Sequence, residues 1–428
     1  MLGLQEMLEK VMQEVTNPKE VLLQVLGRRL DELGVPLDVS QKANLAEQIM
    51  ESADGVIHVA FEDEQIGRTG LREPKDIESL LRNVIEGLGP DIEEYTEMIE
   101  RDLPWMLLNV AGEIAPIVLD SLRCRAPEML SERRSNRELF MRHLSDTWGA
   151  ALDLLEMHVV IAAEIGDYVN EAHRSSEAQG YDIRCDVLSR LHARACQISN
   201  EVLTLLECGF ADGAHARWRS LHEVVVVADF IEVSGRDLAE RYLSHEGVES
   251  YKAALQYRRY CEQLDVEPIT DDEIAELSSN RDRLIQQYGP EYKHEYGWAA
   301  GALNKRRPTF ADIEQAVGLD HLRPYYKLAS HNVHANPKGV FVKLGLPDGA
   351  DNLLLAGASD AGLAEPGHLM ALSLTHITSV LLLHEPTLDT LVLEKMLLKL
   401  SREIGVAFSG ILDDVTGRLH EGEGASSA

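Results

Sequence analysis

Apolar residues recur along this chain at three- and four-residue intervals, punctuated by Gly, Pro, Asn and Asp, which is the pattern of successive amphipathic helices. TNPKEVLLQVLGRRLDELGVP predicts a helix with Asn17 as N-cap and Pro18 in its first position, closed by Gly34 and Pro36. A further helix is expected from about Ser40 to Ala53, whereas VIHVAF reads equally as a short strand or a loop. Helices resume at Pro74 and Pro90, and Pro104 and Pro116 should break or kink the helical pattern beyond them. SERRSNRELF, from Ser131 to Phe140, lacks an apolar face and marks the expected end of an acidic helical N-terminal region, 1–140.

From Asp146 the helices become longer and more apolar. DTWGAALDLLEMHVVIAAEIGDYVNEAH, IRCDVLSRLHARACQISNEVLTLLECG and DGAHARWRSLHEVVVVADFIEVSG are three of them, the last with Asp212 as cap and Gly235 as stop. RDLAERYLSHEGVESYKAALQYRRYCEQL makes a fourth, with a polar insertion after it at about 265–312 that ends in a loop-rich tip. LRPYYKLASHNVHANPKG predicts a short helix, and GVFVKLGLPDGADNLLLAG a β-hairpin turning at Pro347-Asp348-Gly349. Two terminal helices and a flexible tail, 420–428, complete the chain. The expected fold is mainly α: a multi-helix bundle at 146–405 with a small β-hairpin near 339–357.

Composition sharpens this picture. Aromatic residues are only 5%, which argues against an all-β sandwich. The formal net charge of -31 repels nucleic acid and anionic membrane at long range. The acid excess is concentrated in the first hundred residues. Bases roughly balance acids from Lys252 to Lys343, with clusters at Arg258-Arg259, Arg281/Arg283 and Lys305-Arg306-Arg307, so a local nucleic-acid contact there survives the global argument. Five cysteines without CxxC spacing read as reduced, mostly buried thiols. MLGLQEMLEKVMQEV resembles an acidic amphipathic helix rather than a signal sequence, and LMALSLTHITSVLLL is short and interrupted for a membrane span. A cytoplasmic protein with no membrane association is the expectation.

Candidate chemistry concentrates on the helix GFADGAHARWRSLHEVVVVADF. At about 100° per residue, His215, Arg219, His222, Val226 and Asp229 share a narrow arc with Glu223 at its edge, while the remaining faces are apolar. Arg219 and Glu223, four apart, can pair. On the later short helix Tyr326, Ser330 and His334 fall on one side with Lys327 adjacent. If that side meets the Arg219/Glu223 stripe, facing helices would build an Arg–Glu–Ser–His pocket. A neutral histidine there could serve as general base. No HExxH pair, phosphate-cradling glycine loop, nucleophile elbow or dinucleotide fingerprint is present, so neither metal nor cofactor is expected.

Two resemblances bear on this. ARACQISNEVLTLLECGFADGAHARWRSLHEVVVVADFI, RYLSHE and YKLASHNVHANPKG together resemble a bacterial family catalogued as domain of unknown function 5677, over about Asp146 to Leu383. The likeness implies a helical, intracellular protein and no established activity. Arg217 to His222 spells R-x-x-x-x-H, which is similar to the ribonuclease motif of HEPN-type helical nucleases of stress and phage defence. That likeness implies an arginine on the phosphate and a histidine on the 2'-hydroxyl or leaving group. Trp218 stands where those proteins carry a small polar residue. Arg217 also diverges from His222 by about 140° on a straight helix, against about 60° for Arg219.

These residues support two functions. One is an RNA-directed nuclease-like effector with Arg219, His222, Glu223, Ser330 and His334 as the reacting set and His215, Arg217, Tyr326 and Lys327 as contacts to RNA or a nucleotide. The alternative is a non-catalytic binding or regulatory module whose stripe is structural, with the N-terminal helices mediating a protein partner or self-association.

Overall fold

The computed structural model describes residues 17–35, 37–51, 57–59, 74–175, 181–346 and 353–426. The chain divides into two units, Met1–Ser131 and Glu132–Ala428. Among the described residues the regular structure is helical and no strand occurs.

The first unit contains α1 (Pro18–Glu32), α2 (Val39–Glu51) and α3 (Pro74–Glu86), and α4 (Leu88–Ser175) starts in it. Asn17 caps α1 as its spacing predicts, its side chain accepting from Lys19 N at 2.9 Å. Leu26, Leu30, Leu45, Val84 and Leu88 form a small core of their own. Residues 57–59 of VIHVAF are irregular, and the rest of that stretch lies outside the described residues. The expected break at Pro104 and Pro116 does not occur, because α4 runs through both and through Pro127. Each proline removes one backbone donor, which unbroken turns on either side outweigh. The charged stretch at 131–140 is likewise a solvated part of α4, and the border between units falls inside it. By length and composition α4 is the one described helix with a window apolar enough to cross a membrane. That window is unburied, with Trp105, Leu108 and Ile117 exposed.

In the second unit α5 (Ile183–Glu207), α6 (Ala211–Ser234) and α13 (Ala364–Leu382) pack on one another, and α14 (Leu388–Ser426) packs on α13. Leu369, Leu374, Ile377 and Leu381 of α13 are buried, as a core helix requires. Buried Trp148 of α4 joins the same core and donates its indole N–H to Asp360 O at 2.9 Å. The fourth expected helix is two, α7 (Arg236–Ser244) and α8 (Glu246–Leu264), divided at His245. The polar insertion is more ordered than its composition suggests. In it α9 (Asp271–Tyr288), with a Thr270/Glu273 capping box, packs on α8. The tip folds back as 3-10 turns that bury Tyr292 and Trp298, the latter edge-on to Tyr242 at 5.0 Å.

Two short helices, α10 (Phe310–Ala316) and α11 (Arg323–Val333), then lie on α6. The hairpin is overturned. Residues 337–341 form α12 (Pro337–Phe341), and the described residues on either side of the turn carry no strand; the turn at Pro347 to Gly349 lies outside the described residues. Asn336 caps α12 through Lys338 N at 2.9 Å, with Pro337 in the first helical position, so helix-start chemistry prevails over the apolar run. The segment after α12 is pinned from α6: Asp212, expected as a cap, instead accepts from Leu344 N at 3.1 Å and from Asn332 Nδ2 at 3.0 Å. The tail expected from 420 is helical through Ser426; Gly422 and Gly424 lower helix preference without forbidding it.

Candidate functional site

α6 begins after Phe210 without a side-chain cap and ends at Gly235, whose φ of 86° is the left-handed region that glycine adopts without strain. Its stripe is not a solvated face. His215 and His222 are fully buried, with Trp218 stacked at 5.4 Å on each. Trp218 in turn donates its indole N–H to Ser373 Oγ at 2.9 Å and Leu369 O at 3.1 Å, fixing α6 against α13.

Along the stripe the ionisable groups close on each other. Arg219 donates to the Tyr326 hydroxyl at 2.7 Å, and that hydroxyl donates to Glu223 Oε1 at 2.6 Å. Arg219 and Glu223 also pair directly at 3.0 Å, with the guanidinium 4.6 Å from the Tyr326 ring centre. Burial, followed by the Glu223 carboxylate, pushes the Tyr326 phenol up, so it stays a neutral donor. One turn away His222 Nε2 donates to Glu314 Oε1 at 2.9 Å, and Arg323 pairs with the other oxygen of that fully buried carboxylate. A carboxylate held by arginine is acceptor-only, so Nε2 carries the proton; Nδ1 has no partner. His215 has no hydrogen-bond partner on either ring nitrogen, and burial lowers its pKa to about 4. Burial likewise raises that of Glu365, 3.7 Å from it.

The structure therefore brings Arg219, His222, Glu223 and Tyr326 together and leaves the other sequence candidates outside. Arg217 points away and pairs with Glu201. Ser330 donates back to Tyr326 O at 2.7 Å, one turn earlier on its own helix. His334 is the exposed C-cap residue of α11, and Lys327 is exposed. The expected Arg–Glu–Ser–His pocket is thus replaced by an Arg–Tyr–Glu contact: the Ser330 hydroxyl is spent on its own helix, and His334 lies past the last helical residue of α11 in extended backbone. Glu314 and Arg323 were missed by the sequence reading. Their signal was present, since Glu314 lies on the same side of α10 as Phe310 and an acid on an apolar face requires a partner.

A half-open cleft of about 540 Å³ opens on the far side of His222, between α6, α13, α14 and the 3-10 turn Asp320–Leu322. His222, Asp229, His376, Ser379, Glu394, Ser401 and Arg402 are among its polar groups, and Leu319, Leu372, Leu383 and Leu398 supply much of its apolar wall. Among the described residues no group of three or more His, Cys, Asp or Glu is placed to hold a metal ion.

Comparison with known proteins adds a family without an assigned role. Residues 186–351 match the model of a family of unknown function, DUF5677. The match takes in α6, α10 and α11, hence the whole Arg219–Tyr326–Glu223 and His222–Glu314 arrangement, but not α13 and α14, which form the other half of the cleft. No curated protein and no solved structure matches the chain.

Proposed function

We propose that the second unit is a non-catalytic binding module, in which the α6 stripe is structural and the cleft beside His222 receives a ligand. The observation that carries this reading is the closure of the stripe. The arginine, carboxylate and phenol that would have to meet a phosphate already satisfy one another, and His334, the second expected acid–base group, lies exposed at the end of α11. The basic clusters are also partly neutralised in place: Arg258 pairs with Asp271, Arg281 with Asp282 and Lys305 with Asp312. This weakens the case for an RNA surface.

One feature favours the nuclease-like effector of bacterial stress or phage defence. His222, backed by Glu314 and open at Nδ1, is the arrangement of an oriented general base. Incubating labelled single-stranded RNA with the purified protein, without metal, separates the readings. The binding-module reading expects intact RNA with wild type and with His222→Gln. RNA cleaved by wild type and spared by His222→Gln would overturn it.

A further inference from the structure

Three observations at the cleft identify the chemistry of its occupant. The first is unsatisfied polarity. His222 Nδ1, Ser379 Oγ, Ser401 Oγ and Glu394 Oε2 are buried atoms of residues that line it and have no hydrogen-bond partner, Glu394 Oε2 having only the charge of the Lys395 ammonium 2.9 Å away. Buried polar atoms are normally paired, and each one left unpaired is costly. Four in one cavity mark the place of something that can hydrogen-bond. The second is the wall, where Leu319, Leu372, Leu383 and Leu398 offer apolar contact and no aromatic ring of Phe, Tyr or Trp takes part. The third is the distribution of charge. Asp229 pairs with His376 at 2.8 Å, and the charge of Glu394 is offset, without a hydrogen bond, by Lys395 at 2.9 Å. His321 donates from Nδ1 to Gly318 O, 3.1 Å away. Arg402, on the exposed side of α14, lines the cleft with no acidic partner among the described residues.

We propose that this cleft binds a small amphipathic organic anion: a carboxylate or sulfonate at Arg402 and the Ser401 hydroxyl, and an apolar body along the leucines toward Ser379 and His222. The inference rests on the binding-module reading and adds the ligand class to it. An apolar body is required, because a net charge of -31 repels a bare anion at long range and the affinity has to come from desolvated contact. A cavity of about 540 Å³ is in the range that takes a metabolite-sized molecule.

Two matched dyes test it with the full chain. 8-Anilinonaphthalene-1-sulfonate carries the anion, and N-phenyl-1-naphthylamine is the same body without it. Fluorescence titration should show saturable one-to-one binding of the sulfonate. Arg402→Gln should weaken the sulfonate at least tenfold and leave the neutral dye within twofold. Leu398→Trp, which fills the half-buried wall, should weaken both at least tenfold, with circular dichroism unchanged. Equal effects of Arg402→Gln on both dyes would overturn the anion class while leaving the cleft as a binding site. Sulfonate binding untouched by Leu398→Trp, or no saturable binding by wild type, would remove the cleft as the site and the proposal with it.

Discussion

Glu314 is the residue on which the structural reading of the stripe is most exposed to test. It is fully buried, accepts from His222 Nε2 at 2.9 Å and pairs with Arg323. Glu314→Ala would strand the His222 N–H in a closed interior and release Arg323. Removing one partner of a buried charged pair costs about 3–5 kcal/mol. Arg323 is one-third exposed and can turn to water, so Arg323→Ala should cost less, about 1–2 kcal/mol. Glu314→Gln keeps an acceptor and should fall between them, at about 1–3 kcal/mol. Urea unfolding monitored by tryptophan fluorescence is the assay, because Trp218 stacks on His222 and reports this region. The transitions of the two units are to be fitted separately, since one two-state curve does not describe two units. A Glu314→Ala variant within about 1 kcal/mol of wild type would refute the argument that this carboxylate is a buried structural partner.

Acid should destabilise the second unit before carboxylates titrate. Burial lowers His158, His192 and His215 to about 4 from 6.5, so the unfolded chain takes up protons first and their contribution, present above about pH 6.5, is lost as pH falls toward 4. Each adds a slope of up to about 1.4 kcal/mol per pH unit in that window; a wild-type slope unchanged by glutamine at all three positions would contradict this. His384 has the opposite sign. Its hydrogen bond to Glu232 at 2.8 Å, followed by that to Asp182 at 3.0 Å, raises its pKa, so its stabilisation is complete below about pH 6.5 and disappears as pH rises through the raised value. His384→Gln should therefore lower Tm more at pH 6 than at pH 9, and a pH-independent loss would count against it. Tyr326→Phe removes the hydroxyl between Arg219 and Glu223 but leaves their direct pair. The expected cost in urea unfolding is about 1–2 kcal/mol, discounted because both charged groups reach solvent, and a neutral result would show the hydroxyl to be dispensable.

How far the sequence could be read depended on whether a contact lay within one helix or between two. The α6 stripe, its apolar remainder and the Arg219–Glu223 pair come from the 3.6-residue period and appear as expected. Tyr326 was correctly placed on the side of α11 that meets α6, yet Ser330 and His334 do not join it, because the Ser330 hydroxyl turns back to Tyr326 O and His334 is the extended C-cap residue, where the helical period no longer sets direction. Arg217 and His222 satisfied a spacing motif and still diverge, Arg217 to Glu201 and His222 to Glu314. Both acids come from other elements, so no window around the motif contains them. The hairpin failed for a local reason, since Asn336-Pro337 starts a helix that consumes the first apolar run. Asp212 failed for a tertiary one: two backbone N–H groups from 344 and 345 claim the carboxylate that would have capped α6.

The ionisable groups in so apolar a helix acquire a common explanation when the buried polar contacts are traced across the unit. Trp218 meets Ser373, His192 meets Thr378 at 3.0 Å, His158 meets Thr375 at 3.0 Å and His222 meets Glu314, each joining two different helices. Thr378 donates its own proton to Leu374 O at 2.7 Å, so its oxygen accepts from His192 Nε2, and the contact has one orientation only. Helices of Leu, Val and Ala pack acceptably in more than one axial register, whereas a directional pair is satisfied in a single one. These pairs therefore act as register pins, contributing less to total stability than to the uniqueness of the packing. Replacing both members of one pin with apolar groups of similar volume, His192→Leu with Thr378→Val, should then leave urea stability within about 1 kcal/mol of wild type while broadening the methyl NMR resonances of α5 and α13. A well-dispersed, sharp spectrum from that double variant would show that hydrophobic shape alone sets the register.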